Sequence, residues 1–271
     1  MRAAPAHRRA RGFTLVEAIM VIVLTGILAA ATAVFIQAPV KAYFDVANRA
    51  ELTDIADTAL RRASREIRAA LPNSLRIAGT CDGTAACYLE FVPIKSAGRY
   101  REGPAGDILD FTSAADNTFE AIGGGVTVQS GDSIVVYNLG ITSADVYAGL
   151  NRRAVPPGGV GTGLSTITFT ATASPFPFAS PARRFHVVGT PVSYVCNAAG
   201  LLLRYAGYAF ATSQPQPPAS TPARLAGNVS RCRFAYADAG GLNGLLTLDL
   251  GLTRNGESVS LVHQIHVSNV P

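Results

Sequence analysis

From Phe13 to Ile36 the chain reads FTLVEAIMVIVLTGILAAATAVFI, an apolar run with a single ionisable residue, Glu17. As a helix it is long enough to cross the ~30 Å hydrocarbon core of a bilayer. Further along, the apolar positions thin to a stripe: Leu52, Ile55, Ala56, Ala59, Leu60, Ala63, Ile67 and Ala70 recur at intervals of three and four. That spacing marks one helix face packed on a core. The pattern predicts a membrane-spanning helix over 13–36 and its continuation over 37–71. Pro39, which lacks a backbone donor, should bend it, and Leu71-Pro72-Asn73 should end it.

After Pro72 the period changes to two. Strands are predicted at Cys87–Val92, Ile108–Phe111, Ser133–Tyr137, Ser165–Phe169, Val192–Cys196 and Leu201–Tyr205. The clearest alternation is Leu246, Leu248, Leu250 and Leu252, then Arg254-Asn255-Gly256-Glu257, then Val259, Leu261, His263, Ile265 and Val267. Asn-Gly between alternating runs predicts a type I′ hairpin, since both residues accept positive φ. Pro156-Pro157-Gly158-Gly159 with its glycine-rich continuation, and Gln214–Pro218, read as exposed loops. Residues 72–271 are expected to form one β-rich head. The glycines at 123–125 and 158–163 make no phosphate loop, because no Gly-Lys-Ser/Thr follows them.

The net charge of +5 at first suggests an anionic partner. Its placement removes that inference. Arg2, Arg8, Arg9 and Arg11 all precede Phe13, and taking four arginines from +5 leaves +1. The basic stretch before the apolar run keeps residues 1–12 in the cytoplasm and exports the rest. An ordinary secretory signal has a shorter apolar stretch with its small-residue cleavage site behind it. Here the small residue, Gly12, stands in front, so cutting there removes the leader and leaves the anchor attached. The four cysteines, Cys81, Cys87, Cys196 and Cys232, contain no CxxC pair, which fits disulfides in an oxidising compartment. Three pairings are possible. Cys81 with Cys87 across a short Gly/Thr/Ala loop, and Cys196 with Cys232 between two predicted strands, are favoured over free buried thiols.

The string Gly12-Phe13-Thr14-Leu15-Val16-Glu17 resembles the prepilin-peptidase motif of type IV pilins and type II secretion pseudopilins. The resemblance implies a cut between Gly12 and Phe13, methylation of Phe13 and a role for Glu17 in assembly, facing the terminal amine of a neighbouring subunit. It also implies the fold: α+β, with a long N-terminal helix packed on an antiparallel sheet. Within the family the chain is most similar to the MshO-type minor pilin of the MSHA pilus. Ala38–Asp45, Leu60-Arg61-Arg62, Arg68–Ser74, Pro191–Cys196 and His263–Pro271 carry that similarity. Implied partners are prepilin peptidase, other major and minor pilins through the N-terminal helix, and the inner membrane. The alternative is a type II secretion minor pseudopilin of the J type. A membrane-anchored binding protein that keeps its leader and never polymerises is a third, less favoured reading.

No enzyme is expected. The processed chain keeps three histidines, and His263 and His266 fall on opposite faces of a strand, so they cannot readily chelate one metal. His263 is expected as a core histidine among Val259, Leu261 and Ile265, and His186 at the surface beside Arg183 and Arg184. Asp107, Asp110, Asp116 and Asp132 match no EF-hand spacing, so no metal or other cofactor is expected. Arg61, Arg65 and Arg68 follow at helical spacing with Arg62 and Glu66 nearby. They read as a solvated face with local ion pairs. No aromatic residues interleave for base stacking, so nucleic acid is not an expected partner.

Overall fold

The computed structural model describes residues 12–82, 86–103, 105–238, 241 and 243–271. Of the expected leader, only Gly12 is among them; Arg2, Arg8, Arg9 and Arg11 lie outside the described residues. One α-helix, α1 (Leu15–Arg68), precedes a set of β-strands joined in antiparallel pairs, giving an α+β architecture. The chain divides into two compact units, Met1–Ala50 and Glu51–Pro271. The first part of α1 belongs to one and the last part to the other. Pro39 lies inside α1, whose helical assignment continues through it.

Among the described residues sixteen strands follow: β1 (Arg76–Gly79), β2 (Cys87–Phe91), β3 (Ile94–Tyr100), β4 (Thr118–Ile122), β5 (Val126–Val128), β6 (Ser133–Val136), β7 (Arg152–Ala154), β8 (Gly161–Leu164), β9 (Thr166–Thr168), β10 (Arg184–Val188), β11 (Val192–Asn197), β12 (Leu201–Ala206), β13 (Ala223–Ala226), β14 (Val229–Asp238), β15 (Asn243–Arg254) and β16 (Glu257–Ser268). They build a five-stranded sheet ordered β1-β2-β11-β12-β13 and a six-stranded sheet ordered β7-β6-β10-β3-β4-β9. A three-stranded sheet, β14-β15-β16, and the pair β5-β8 complete the set.

The helical stripe packs as its period predicts. Leu52, Ala56, Ala59, Leu60, Ala63 and Ile67 are buried in a core shared with the five- and three-stranded sheets. Three small residues on that face, all alanines, admit the large side chains opposite, including Phe91, Tyr194 and Leu248. The six-stranded sheet has a separate, aromatic core around Phe119, Phe169, Phe176 and Phe185. One expected head therefore holds two main hydrophobic cores.

The two larger sheets are joined by a double crossing. β2 runs through Val92-Pro93 into β3, and β10 runs through Gly189-Thr190-Pro191 into β11. β2 pairs with β11 and β3 with β10, so two strands pass side by side from one sheet to the other. Proline cannot donate to a ladder, and one sits in each crossing segment. Gly189 N–H still bonds Pro93 O at 3.1 Å. The end of the helix is stitched to the same place, with Leu71 N–H to Val92 O and Ile94 N–H to Ala69 O both at 2.8 Å.

The Asn-Gly hairpin forms as predicted: Arg254 faces Glu257, with Asn255 at φ 54 and Gly256 at φ 84. Two local expectations fail. Ile108–Phe111 is not a strand, because side chains take its backbone groups. The Asp116 carboxylate accepts Asp110 N–H at 2.8 Å, and the Asp110 carboxylate accepts Thr112 N–H at 2.7 Å. Such local bonds compete with a ladder. The glycine-rich continuation after Gly159, expected as a loop, is β8 paired with β5. A Cβ on Gly125 would stand 2.3 Å from Gly163 Cα, so the two backbones meet only because Gly125 lacks one.

Candidate functional site

Among the described residues the N-terminal segment starts with Gly12, Phe13 and Thr14 outside the helix. Thr14 caps α1: its hydroxyl accepts Glu17 N–H at 3.2 Å and its carbonyl accepts Ala18 N–H at 3.1 Å. Glu17 thus occupies the third helical position, where the positive end of the helix dipole favours a carboxylate. Thr14-x-x-Glu17 has the spacing of a capping box, a signal available in the sequence beside the cleavage motif. The Glu17 carboxylate has no hydrogen bond or ion pair among the described residues.

Every residue from Gly12 to Phe44 is exposed. Phe13, Leu15, Met20, Ile27, Leu28 and Phe35 are all more than half exposed, and the helix contains a window apolar enough to cross a membrane. Thr25 and Thr32 satisfy their hydroxyls on the carbonyls of Val21 and Leu28, both at 2.6 Å. These two hydroxyls therefore cost the apolar surface little. Gly12 has nothing within 4 Å of the place a Cβ would take; the described chain does not itself require glycine there.

In the head-bearing unit, Arg61 pairs with Asp57 at 2.7 Å and Arg62 with Glu66 at 3.3 Å, the local ion pairs foreseen. Glu66 also takes Arg204 of β12 at 2.8 Å. Burial pushes the Glu66 carboxyl up, but Arg204, with Tyr194 and Arg62, together outweigh it and the pKa lies below its ordinary value. Arg204 comes from far along the chain and left no mark in local spacing.

The cysteines form Cys81–Cys87, with Cα atoms 4.6 Å apart, and Cys196–Cys232, at 6.2 Å. The second joins β11 to β14. His263 lies on the predicted face of β16 but is half-exposed, not core. Its Nδ1 stands 3.4 Å from Ser64 Oγ and its Nε2 4.0 Å from Asp57 Oδ1, so it meets the polar margin of α1.

His186 reverses its expectation. It is buried, at 8% exposure, on β10 between β3 and β6. Burial first, then the charge of Arg184, hold its pKa down to about 4, and its Nδ1 has no partner among the described residues. The neighbouring arginines misled because β10 is a central strand covered on both faces, with Phe185, His186, Val187 and Val188 all buried.

Of the four aspartates singled out, Asp110 and Asp116 come together as described above. Asp132 instead pairs with Lys95 at 2.6 Å. Among the described residues, no group of three or more His, Cys, Asp or Glu side chains has the placement to hold a metal. A buried polar cluster missed by sequence is structural in character. Glu90, wholly buried, takes Arg76 Nε at 2.5 Å and the Tyr208 hydroxyl at 2.8 Å. The same guanidinium lies 3.6 Å over the Tyr147 ring.

An unbonded carboxylate in the capped first turn of an exposed apolar helix, five residues after a sterically unconstrained glycine, is the geometry on which a comparison with known proteins bears. Residues 7–33 match the family model of the prokaryotic N-terminal methylation motif. The chain thus carries the signal of type IV pilin-like proteins, which implies processing by prepilin peptidase and assembly with pilins in general. The single apolar helix and this signal are consistent with anchoring in the inner membrane. No curated protein and no solved structure matches the chain.

Proposed function

We propose that this chain is a minor subunit of a type IV pilin-like filament of the MSHA kind. It is made as an inner-membrane precursor with its head in the periplasm and is incorporated into, or initiates, a surface pilus that mediates attachment. Its role is assembly, with no catalysis of its own. Prepilin peptidase removes residues 1–12, and the new amine at Phe13 is methylated. The exposed apolar surface of α1 then leaves lipid for a core of like helices.

A carboxylate inside that surface costs about 2.5–3.5 kcal/mol on insertion scales. A neighbour's Phe13 amine offsets this, because a charge pair is strong where the dielectric is low, and pairing sets the axial register between subunits. The observation that carries this reading is Glu17, whose carboxylate is unpaired within the described chain and whose backbone N–H is capped by Thr14 at the end of the exposed helix. The MSHA assignment is supported by the similarity over 38–45, 60–62, 68–74, 191–196 and 263–271.

An intact-mass measurement on protein extracted from membranes is the test. Loss of residues 1–12 with gain of one methyl is expected; a chain still beginning at Met1 would end the proposal. Deletion should remove surface pili. Loss of exoprotein release with pili intact would instead indicate the J-type pseudopilin.

A further inference from the structure

On the six-stranded lobe a cleft of about 560 Å³ opens between the loop that precedes β7 and the irregular stretch 172–177. Its wall is largely apolar and includes Phe111, Ala148, Leu150, Ala173, Pro175 and Phe176. One charged side chain lines it, Arg153 of β7, and that residue is only 3% exposed.

Arg153 faces Ile134 of β6 in the ladder, and its guanidinium lies 4.4 Å over the Phe176 ring. Nη1 donates to Leu150 O at 2.8 Å and to Arg152 O at 3.0 Å, and Nη2 donates to Ser174 O at 2.8 Å. These bonds tie the two banks of the cleft together, Leu150 on one and Ser174 on the other. They supply dipoles but no counter-charge. A guanidinium has five donor hydrogens, so Nε–H and one hydrogen on Nη2 are left over. Among the described residues no carboxylate forms an ion pair with Arg153, and burial alone moves its pKa, downward. Asp110 and Asp116 border a small space that adjoins the cleft, but their oxygens accept from Asp110 N–H, Thr112 N–H and Thr118 N–H.

A cation held away from water without a counter-charge is costly. An anion in the cleft offsets that cost, and the surface around it selects which anion. A bare inorganic ion gains nothing from Phe111, Leu150 and Pro175, and a neutral apolar molecule leaves the charge unpaired. We propose that this cleft binds a small carboxylate with an apolar body, its carboxylate on Arg153 and its body against the apolar wall. Nε and Nη2 can take the two oxygens side by side, the pairing that makes arginine the stronger carboxylate partner. The inference goes beyond the filament reading and does not rest on it: it gives the head a ligand whether or not α1 assembles.

The experiment titrates the full chain in detergent micelles with phenylacetate at neutral pH, following the methyl resonances of Ala148, Leu150 and Ala173 and the Nε–H resonance of Arg153. These report the cleft itself, so uptake of the probe by the micelle does not register. Saturable shifts with a Kd of about 1 mM are expected for a ligand of this size. Phenylacetamide, which keeps the shape and lacks the charge, should bind at least tenfold more weakly, and so should acetate, which keeps the charge and lacks the body. Arg153→Gln should weaken phenylacetate at least tenfold. Because that change also removes the bonds across the cleft, Ala173→Trp is the second variant: the position is exposed, so the thermal midpoint should hold while the filled cleft no longer binds. No saturable shift at about ten times the expected Kd would overturn the proposal. Equal binding of phenylacetamide, or undiminished binding by a folded Ala173→Trp chain, would overturn it too. None of these results bears on leader removal, so the filament reading stands or falls separately.

Discussion

Glu90 is fully buried, and its charge is tolerated because Arg76 and Tyr208 both reach it. Removing one partner strands the other: Arg76→Ala should cost about 3–5 kcal/mol, read as a lowered urea midpoint, and Glu90→Gln less. His186 gives a pH signature. Unfolded, it takes a proton near its ordinary pKa of 6.5; folded, it resists until about 4. The unfolded state therefore binds more protons in that window, and stability falls as pH drops through it, by at most about 3 kcal/mol. His186→Leu should flatten the loss between pH 7 and pH 5; an unchanged slope would clear His186 of the effect. Residue-scale chemistry was legible where it is local, as in Asn255-Gly256 and the Gly12–Glu17 string. It was hidden where partners are distant, as in Glu66–Arg204, or where a strand is covered on both faces, as at His186.

At the scale of elements, period was a reliable guide. The stripe from Leu52 to Ala70 is the buried face of α1, and β15 and β16 follow the alternation of their sequence. Because Ile67 is completely buried, Ile67→Ala should lower stability by about 2–5 kcal/mol, measured by the same denaturation. Gly256 has open space around its missing Cβ and a φ of 84, so Gly256→Ala tests conformation alone, at about 1–2 kcal/mol. The strand expected at Ile108–Phe111 failed because aspartate side chains took its backbone groups. The one missed in the glycine-rich stretch pairs through a contact that depends on an absent side chain. Neither cause appears in a count of apolar positions.

Across the whole molecule, the two disulfides differ in what they constrain. Cys196–Cys232 spans 36 residues and ties two sheets, while Cys81–Cys87 spans six. Chain-entropy arguments assign about 4 kcal/mol to the longer loop and about 2 to the shorter. Paired serine substitutions should therefore shift the thermal midpoint more at 196/232 than at 81/87. The division of the head into two cores was not legible, because both lobes use the same period-two code and only pairing tells them apart. That pairing also shows how the lobes are nested. The six-stranded sheet and its aromatic core are drawn from the continuous stretch between β2 and β11, and those two strands are themselves antiparallel neighbours. In topological terms the lobe is the swollen tip of a hairpin. Residues 94–188 occupy the position a two-residue turn would fill, so this is the place where the head can be excised, exchanged or grafted without rerouting the remaining chain.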